Sequence, residues 1–353
     1  MSLTIKQPGL FSSLQDSGRR GLRYLGIPWS GVGCDPWMRF ANALLDQDIN
    51  TPVIETIEGG LNLSVSNQDV TVAIIGDVQA MRISANGTRN VVRGWRTLTL
   101  HPGDTLNILK TGKYRCALIG VKGLAVEPHF GSVSTYANAS LGGLKGTLLQ
   151  AGDELPVKPG KPNALFHHTQ FHPYSFTGEP TLHEDVFVVR AVAGPQDDAF
   201  TEDALNTFFS ACYRVSRDID RMGARMEGPV LQHLSQSHRD LVSDAILPGS
   251  VQVPGSGNPI VMLADAHTVG GYPKIATIVS ADRALFSLCR PGSVVRFEKV
   301  TTTAARKHTL SIERSVLAHL NTKHPVLDDA LDAERLLGLN LIGGVSDAMD
   351  FEP

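Results

Sequence analysis

Residues 252–282 constrain the fold of this chain more than any other stretch. Two apolar runs in this segment, 260–264 and 275–279, are rich in β-branched residues and have strand length, so each predicts a β-strand. Ionisable residues and two adjacent glycines lie between them, and glycine lets a backbone approach a ligand closely. Rigid sheets often present functional side chains from such connections. The alternative is a long hairpin whose loop carries these residues without a function.

Length and composition set the number of domains and the partners to expect. A chain of 353 residues suggests two units of about 150 residues each. The 34 glycines and 20 prolines favour many turns and short strands. A net charge of −3, without a basic block, argues against binding to nucleic acid or to an anionic membrane. No apolar run approaches the roughly 18 residues of a membrane span, and no signal sequence is evident.

The cysteines indicate the redox compartment. The four residues are widely spaced and form no C-x-x-C pair: Cys34, Cys116, Cys212 and Cys289. The spacing predicts neither a zinc site nor a disulfide framework, and we expect a reduced, cytoplasmic environment.

The pattern divides the chain into four parts. We predict a first β-rich subdomain over residues 1–160, a linker over 161–185, a second β-rich subdomain over 186–299 and a helical tail over 300–353. Strands are predicted in the first subdomain at 62–65, 70–75, 80–84, 97–100, 105–109 and 115–121. The linker holds three histidines, at 167, 168 and 172, but no neighbouring carboxylate or cysteine at helical spacing, so a solvated loop is favoured over a metal site.

Few helices are predicted. Residues 36–45 form a helix with Asp35 as N-cap and Pro36 at the first position. Residues 201–212 form a second, capped by Thr201, with an apolar face that ends at Cys212. The tail predicts helices over 311–320 and 328–337.

Three groups of residues can carry chemistry. The first contains Asp16, Arg19 and Arg20 on a glycine-rich turn, which either clamp a carboxylate or phosphate or form a turn-stabilising ion pair. The second, residues 216–229, is either a substrate-binding edge or a solvated hairpin. Around two glycines it packs Asp218, Asp220, Arg221, Arg225 and Glu227. In the third, Asp265 with His267 suits acid–base chemistry, and Lys274 suits anion binding.

Common nucleotide and hydrolase motifs are missing from the sequence. It contains no G-x-x-x-x-G-K-[ST] phosphate loop, no G-x-G-x-x-G at a strand–helix junction, no G-x-S-x-G and no H-E-x-x-H. No lysine has the flanking methionines of a biotin attachment site. A nucleotide site must therefore be of an uncommon type or be shared with another chain.

Six segments resemble the second subunit of the allophanate-hydrolase-type, biotin-dependent carboxyltransferase family. They cover residues 3–297 in order and read GLFSSLQDSGRRGLRYLGIPWSG, RFANALL, AGPQDDAF, DRMGARMEGP, GSVQVPGSGNPIVMLADAHTVGGYPKIATIVSAD and RPGSVVRF. The family includes the C subunit of the bacterial ATP-dependent 5-oxoprolinase, the antagonist of a sporulation-kinase inhibitor and part of urea carboxylase.

The resemblance implies a mainly β fold with a few helices, in which two cyclophilin-like β-barrel subdomains face a shared cleft. It implies one component of an ATP-dependent lactam hydrolase that converts 5-oxoproline, ATP and water to glutamate, ADP and phosphate. Such a chain works with two partners, the B-like first subunit of the same family and an A-like protein. ATP and Mg are bound in the complete complex, and the chain is inactive alone. A homo-oligomer is left open.

Two other functions are consistent with the same resemblance. The chain is alternatively a carboxyltransferase component that acts on urea or a similar amide with carboxybiotin supplied in trans. It is also consistent with a non-enzymatic regulator that binds its partner protein.

The resemblance carries site residues over to this sequence. The implied catalytic residues are Arg221, Asp265, His267 and Lys274. The implied substrate-binding residues are Gln15, Asp16, Arg19, Asp35, Asp220, Glu227, Gly270, Gly271 and Tyr272. No metal site is implied within this chain. We expect these residues to converge on the cleft, with Arg19, Arg221 and Lys274 binding anions.

Two positions depart from the family pattern. Cys34 takes the place of the usual aspartate, and Asp35 follows one residue late. Ala266 and His267 replace the more usual Arg-Gln or Ala-Gln pair. Either Asp35 substitutes for the lost carboxylate or that carboxylate is gone, and His267 either adds acid–base chemistry or replaces one hydrogen-bonding side chain with another.

Overall fold

The computed structural model describes residues 2–159, 166–167 and 186–325. Within these residues the chain is mainly β, with four α-helices packed against the sheets. The predicted fold class is confirmed. The division of the chain into four parts stays a prediction.

The first half contains eleven strands before residue 160. They are β1 Ser2–Pro8, β2 Phe11–Gln15, β3 Val53–Ile57, β4 Leu61–Val65, β5 Val70–Ile75, β6 Val78–Ile83, β7 Arg89–Val92, β8 Arg96–Leu100, β9 Thr105–Thr111, β10 Cys116–Val121 and β11 Glu154–Pro156. All six strands predicted here are present, each within about two residues of its predicted ends.

These strands form two sheets. One has the order β11-β1-β4-β9-β6-β7, and the other runs β2-β3-β10-β5-β8 and continues with two short strands from later in the chain. Strand β12, Phe166–His167, comes from the predicted linker, and β22, His324–Pro325, comes from the predicted tail. Both therefore extend the sheet of the first half.

The central strands of the second sheet are covered on both faces. Every residue of β5 and β10 is buried. In β5, Val72 and Ile74 point into the core between the two sheets, whereas Ala73 and Ile75 pack in the core that contains the helix at residues 35–44. Because side chains alternate along a strand, a continuous apolar run is what two covered faces require.

The second half is a closed seven-stranded barrel. Its strands are β13 Val186–Ala193, β14 Cys212–Ile219, β15 Gly223–Glu227, β17 Ser250–Gln252, β18 Ile260–Met262, β20 Lys274–Ile278 and β21 Val294–Lys299. The order is β13-β20-β17-β18-β15-β14-β21, and β13 pairs with β21 in parallel to close it. A separate pair consists of β16 Asp244–Ala245 and β19 Val269–Gly270.

The two predicted strands of residues 252–282 do not pair with each other. Strand β17 lies between β18 and β20 and pairs with both. The interpretation of this segment as one long hairpin is therefore wrong. The connection between β18 and β20 passes β17 instead of closing a tight turn between neighbouring strands.

Four α-helices complete the described part of the chain: α1 Asp35–Leu44, α2 Glu202–Ser210, α3 Ser280–Ser287 and α4 Thr302–Leu320. Thr201 caps α2 as predicted, since its side chain accepts a hydrogen bond from Ala204 N. Asp35 is not the N-cap of α1; Cys34 holds that position, and the Asp35 carboxylate instead lies 3.6 Å from Arg39 one turn later. Cys212 also lies outside α2. It is the first residue of β14 and is exposed.

The helices α3 and α4 differ most from prediction. Helix α3 was not predicted, and α4 begins nine residues before the predicted 311–320 helix. Two contacts fix α4: Glu313 forms a bidentate ion pair with Arg39, and His308 Nε2 lies 2.8 Å from Asp282. The predicted helix at 328–337 lies outside the described residues.

Two further predictions concern sites and membranes. Of the three linker histidines only His167 is described, in β12, and 168 and 172 lie outside the described residues. Among the residues the structure describes, no three His, Cys, Asp or Glu side chains lie close enough to hold a metal ion. None of the described helices has the length and apolarity needed to cross a membrane.

Candidate functional site

Residues 29–33, here called the hub segment, join the two halves through their backbone. Ser30 N donates to the carbonyl of Ala264 at 3.1 Å, and the Gly31 carbonyl accepts from Arg221 Nη2 at 2.6 Å. Gly33 N donates to Glu55 Oε2 at 2.7 Å. The hub segment therefore contacts the second and third sequence motifs directly.

The hub segment also packs against the first motif. Arg19 N donates to the Trp29 carbonyl at 2.7 Å. Gly18 and Gly31 both have positive φ, at 85° and 91°, and a Cβ at Gly18 would lie 2.7 Å from the Trp29 carbonyl oxygen. Only glycine permits this conformation together with such a close backbone approach.

The Asp16 carboxylate organises the neighbouring loop. It accepts hydrogen bonds from Gly18 N at 2.8 Å and from Val133 N, Ser132 Oγ and Ser134 Oγ at 2.6 Å each. Four donors satisfy a carboxylate that is almost fully buried. Asp16 therefore has a structural role, and both of its carboxylate oxygens already accept hydrogen bonds.

Arg19 is a buried cation whose side chain makes no ion pair in the described part of the chain. Its side chain is 1% exposed, and its Nε and Nη2 donate to main-chain carbonyls of residues 129–134. Its Nη1 is buried and has no hydrogen-bond partner among the described residues. Burial lowers the pKa of Arg19, while Asp16 and Asp265 act in the opposite direction. A guanidinium in this state has hydrogen-bonding capacity left for an anion.

Arg221 lies in a buried triad with two carboxylates. Its Nε and Nη2 donate to Asp265 at 3.0 and 3.1 Å, and its Nη1 donates to Glu55. Burial alone would lower the pKa of Arg221, but Asp265 and Glu55 outweigh it and raise the pKa above its usual value. Because two carboxylates share one guanidinium, Arg221 has little capacity left for an incoming anion.

Sequence reasoning missed Glu55, which lies on β3 in the first half. Strand β3 is buried at every position, and Glu55 is its one charged residue, in the run VIETI. A single charge in an otherwise uncharged, mostly apolar strand was the available signal, because buried charges are nearly always paired.

Asp265 is the point toward which several elements converge. Asp265 pairs with Arg221 and also lies near Tyr136. Burial is the largest cause of the raised pKa of Tyr136, and the negative charge of Asp265 is the second. Asn138 Nδ2 lies 3.0 Å from Met222 Sδ across the same junction. The loop that carries Tyr136 and Asn138 therefore reaches the second half, which the sequence did not indicate.

Lys274 belongs to a second cluster. It is buried, and its Nζ donates to Asp244 Oδ2 at 2.7 Å. Gln196 Nε2 donates to the same oxygen at 3.0 Å. The hydrogen bond from Lys274 is the largest cause that lowers the pKa of Asp244 to about 2. Lys274 is thus paired with a half-exposed carboxylate at the surface.

The rest of the third motif surrounds this second cluster. A Cβ at Gly270 would lie 3.0 Å from Gln252 Nε2, and Tyr272 is 41% exposed. A Cβ at Gly271 would lie 3.2 Å from the Leu241 carbonyl oxygen. The His267 side chain is exposed, and only its carbonyl is engaged, by a hydrogen bond of 2.6 Å from Arg23.

The remaining predicted residues lie apart or serve local structure. Asp220 Oδ1 accepts from Met222 N at 2.7 Å and from Gly223 N at 2.9 Å, which fixes a turn. Glu227 is exposed at the far end of β15. Gln15 is fully buried, with its Oε1 unpaired.

The two departures at the start of α1 have different surroundings. Cys34 lies in the core, and burial raises the pKa of its thiol. A carboxylate there would be buried among apolar side chains. The Asp35 side chain is half exposed and lines a separate cavity beside Trp29.

The structure thus groups the predicted residues into two clusters. One cluster surrounds the hub segment and contains Asp16, Arg19, Arg221 and Asp265. Lys274 and residues 270–272 lie in the second cluster with Asp244. The roles assigned to all these residues stay predictions.

Comparison with known proteins now places the chain. Residues 25–299 match the family described as carboxyltransferase domain, subdomain A and B. The chain belongs to this family. The match includes the hub segment, Arg221, Asp265 and Lys274.

Individual relatives agree with this assignment. The chain is similar to the C subunit of 5-oxoprolinase from Escherichia coli, with 33% identity across 86% of this chain and 93% of that protein. The corresponding C subunit from Haemophilus influenzae is also 33% identical, across 84% of this chain and 90% of that protein. The crystal structure of K. lactis urea amidolyase superimposes with a TM-score of 0.77 at 23% identity, over 89% of this chain but 20% of that one.

Proposed function

We propose that this chain is the C-like component of an ATP-dependent 5-oxoprolinase. In this role it joins B-like and A-like partner proteins to convert 5-oxoproline, ATP and water into glutamate, ADP and phosphate. The observation that carries the proposal is the similarity to the C subunit of 5-oxoprolinase, at 33% identity over 93% of the E. coli protein. A match over nearly the whole relative favours the same place in the same kind of complex.

Arg19 is the residue that we assign to the substrate carboxylate. 5-Oxoproline is a monoanion, and a buried guanidinium with a free Nη1 suits a carboxylate. The carbonyls of residues 129–134 hold Arg19 without neutralising it. Arg221, by contrast, is neutralised by Glu55 and Asp265. We therefore assign Arg221 the positioning of Asp265 instead of direct contact with substrate.

ATP and Mg do not fit the described residues of this chain alone. These residues include no three His, Cys, Asp or Glu side chains that could hold a metal, and the sequence has no glycine-rich phosphate loop. We therefore assign the nucleotide to the partner proteins or to their interface with this chain.

The test is glutamate production by the reconstituted complex. The chain is co-purified with the B-like and A-like proteins from its own organism, and glutamate and phosphate are measured with 5-oxoproline and ATP. Arg19→Gln should raise KM for 5-oxoproline by about tenfold or more, because one charge-assisted hydrogen bond is lost. The matched control is Arg89→Gln, at an exposed residue of the edge strand β7. Glutamate formation that does not require this chain would refute the proposal.

The family description also supports a second candidate function. The matched domain is a carboxyltransferase domain, so the chain would act on urea or a similar amide with carboxybiotin supplied in trans. Carboxylation of urea by this chain with its partner and carboxybiotin, but no glutamate from 5-oxoproline, would select this candidate. Tight partner binding without either activity would instead select the regulator.

A further inference from the structure

Trp29 is surrounded by three arginines. The guanidinium carbons of Arg20, Arg23 and Arg283 lie 4.2, 5.6 and 5.9 Å from the centroid of its ring. Arginine over an indole face is a favourable cation–π geometry. Three cations on one ring, however, also repel one another.

None of these three arginines has a carboxylate within ion-pair distance in the described part of the chain. Arg23 and Arg283 donate only to main-chain carbonyls. Burial and the charge of Arg20 lower the pKa of Arg283, while the charge of Asp35 raises it. Asp35 lies near the group but pairs with Arg39, so the three arginines are a concentration of positive charge without an ion-paired carboxylate in the described part of the chain.

A cavity of about 300 Å³ opens beside this group, and we call it the Trp29 cavity. This volume is at the lower end of the range for small-molecule sites. Trp29, Arg20 and Arg283 line it together with the charged residues Asp35, Arg39 and Glu313. Its apolar lining comes from the hub segment, the barrel, α3 and α4, and includes Val32, Val261, Ile278, Phe286, Ile312 and Val316.

The charges that line the Trp29 cavity are unequally satisfied. Arg39 forms two hydrogen bonds with Glu313, at 2.9 and 2.8 Å, and also lies 3.6 Å from Asp35. Arg20 and Arg283 have no such partners in the described part of the chain. An anion entering the cavity would therefore meet the guanidiniums of Arg20 and Arg283, apolar side chains, and the charged group formed by Arg39, Asp35 and Glu313.

We propose that the Trp29 cavity binds a small amphipathic anion, with a carboxylate or phosphate head against Arg20 and Arg283 and an apolar body against the barrel and α4. The site is separate from Lys274 and from the Arg221 triad. It does not depend on the proposed 5-oxoprolinase activity, since it concerns binding by the chain alone.

Isothermal titration calorimetry of the full chain tests this proposal. The probes are decanoate, decyl phosphate and decanol, each below its aggregation concentration. We expect decanoate or decyl phosphate to bind at least about tenfold more tightly than decanol, since a charge-assisted hydrogen bond contributes that much. The tighter of the two anions identifies the preferred head group.

Variants locate the site. Arg20→Gln with Arg283→Gln should weaken anion binding by about tenfold or more and leave decanol unchanged, whereas Arg89→Gln with Arg93→Gln, at two exposed arginines elsewhere, should change neither. Asp35→Asn should strengthen anion binding, because it removes a nearby negative charge. Thermal unfolding of each variant checks that it is folded. Equal affinity for decanol and decanoate, no binding of any probe, or full binding by the double variant would overturn the proposal.

Discussion

The buried triad of Glu55, Arg221 and Asp265 gives the sharpest stability prediction. Their side chains are 3%, 6% and 9% exposed. Arg221→Met keeps much of the side-chain volume but removes the charge, and so leaves two carboxylates in a buried site. Removing one partner of a buried ion pair costs about 3 to 5 kcal/mol, and with two carboxylates stranded we expect about 5 kcal/mol.

This loss of unfolding free energy lowers the melting temperature by a measurable amount. Unfolding entropy is about 2.1 cal/mol/K per residue, or roughly 0.7 kcal/mol/K for a chain of 353 residues that unfolds as one unit. A loss of about 5 kcal/mol therefore lowers Tm by about 7 °C. Differential scanning calorimetry and urea unfolding of the purified chain give the two values independently.

A second arginine supplies the control. Arg290 also links the halves, through Glu58 and the Gly112 carbonyl, but its side chain is 37% exposed. Partly exposed ion pairs contribute about 0 to 1 kcal/mol, so Arg290→Met should cost far less than Arg221→Met.

Acidification provides a second, independent criterion. Without Arg221, the folded variant holds two buried carboxylates, Glu55 and Asp265, with no cation beside them. Protonating them lowers the free energy of the folded state, so the folded variant binds protons more strongly than the unfolded chain does. Stability of the variant relative to the wild type should therefore increase as the pH falls from 7 to about 5. Equal losses for Arg221→Met and Arg290→Met, or a deficit that does not change with pH, would refute the reasoning.

Two further predictions concern single side chains. Lys274→Met should raise the pKa of Asp244 from about 2 toward 3.8, because the hydrogen bond from Lys274 is the main cause of the shift; a carboxyl NMR titration measures it. In the wild type, the depressed pKa of Asp244 contributes stability above pH 4, and this contribution is lost as the pH falls toward 2. The variant should not show this pH-dependent loss of stability. An unchanged Asp244 pKa would contradict the assignment. Thr201→Ala should cost about 1 kcal/mol in urea unfolding, since the cap to Ala204 N is lost, whereas Thr201→Ser should retain most of it; equal stability of both variants would contradict the capping role.

Local patterns predicted local structure well. Strand β5 was predicted at its observed bounds, because its five apolar residues and flanking turn give a strong strand signal. The cap of α2 was also predictable, since Thr201 acts within one helical turn. Helix α3 was missed because eight residues between two strands give a periodic signal too short to recognise.

The candidate site was predictable only in part. The motifs identified Arg221 and Asp265, but Glu55 meets Arg221 across a sequence separation of 166 residues. No local pattern encodes such a contact. The pairing of Lys274 with Asp244 was missed for the same reason, because it depends on β16 and β19 coming together.

The hub segment explains why motifs so distant in sequence belong to one site. Its backbone is held by Asp16 through Val32 N, by Arg221 through the Gly31 carbonyl, and by Glu55 through Gly33 N. The bond from Arg221 also joins the two halves of the protein, as does the bond from Ser30 N to the Ala264 carbonyl. The arrangement of the candidate site and the contact between the halves are therefore one structure, and a substitution that loosens the contact must also displace the site.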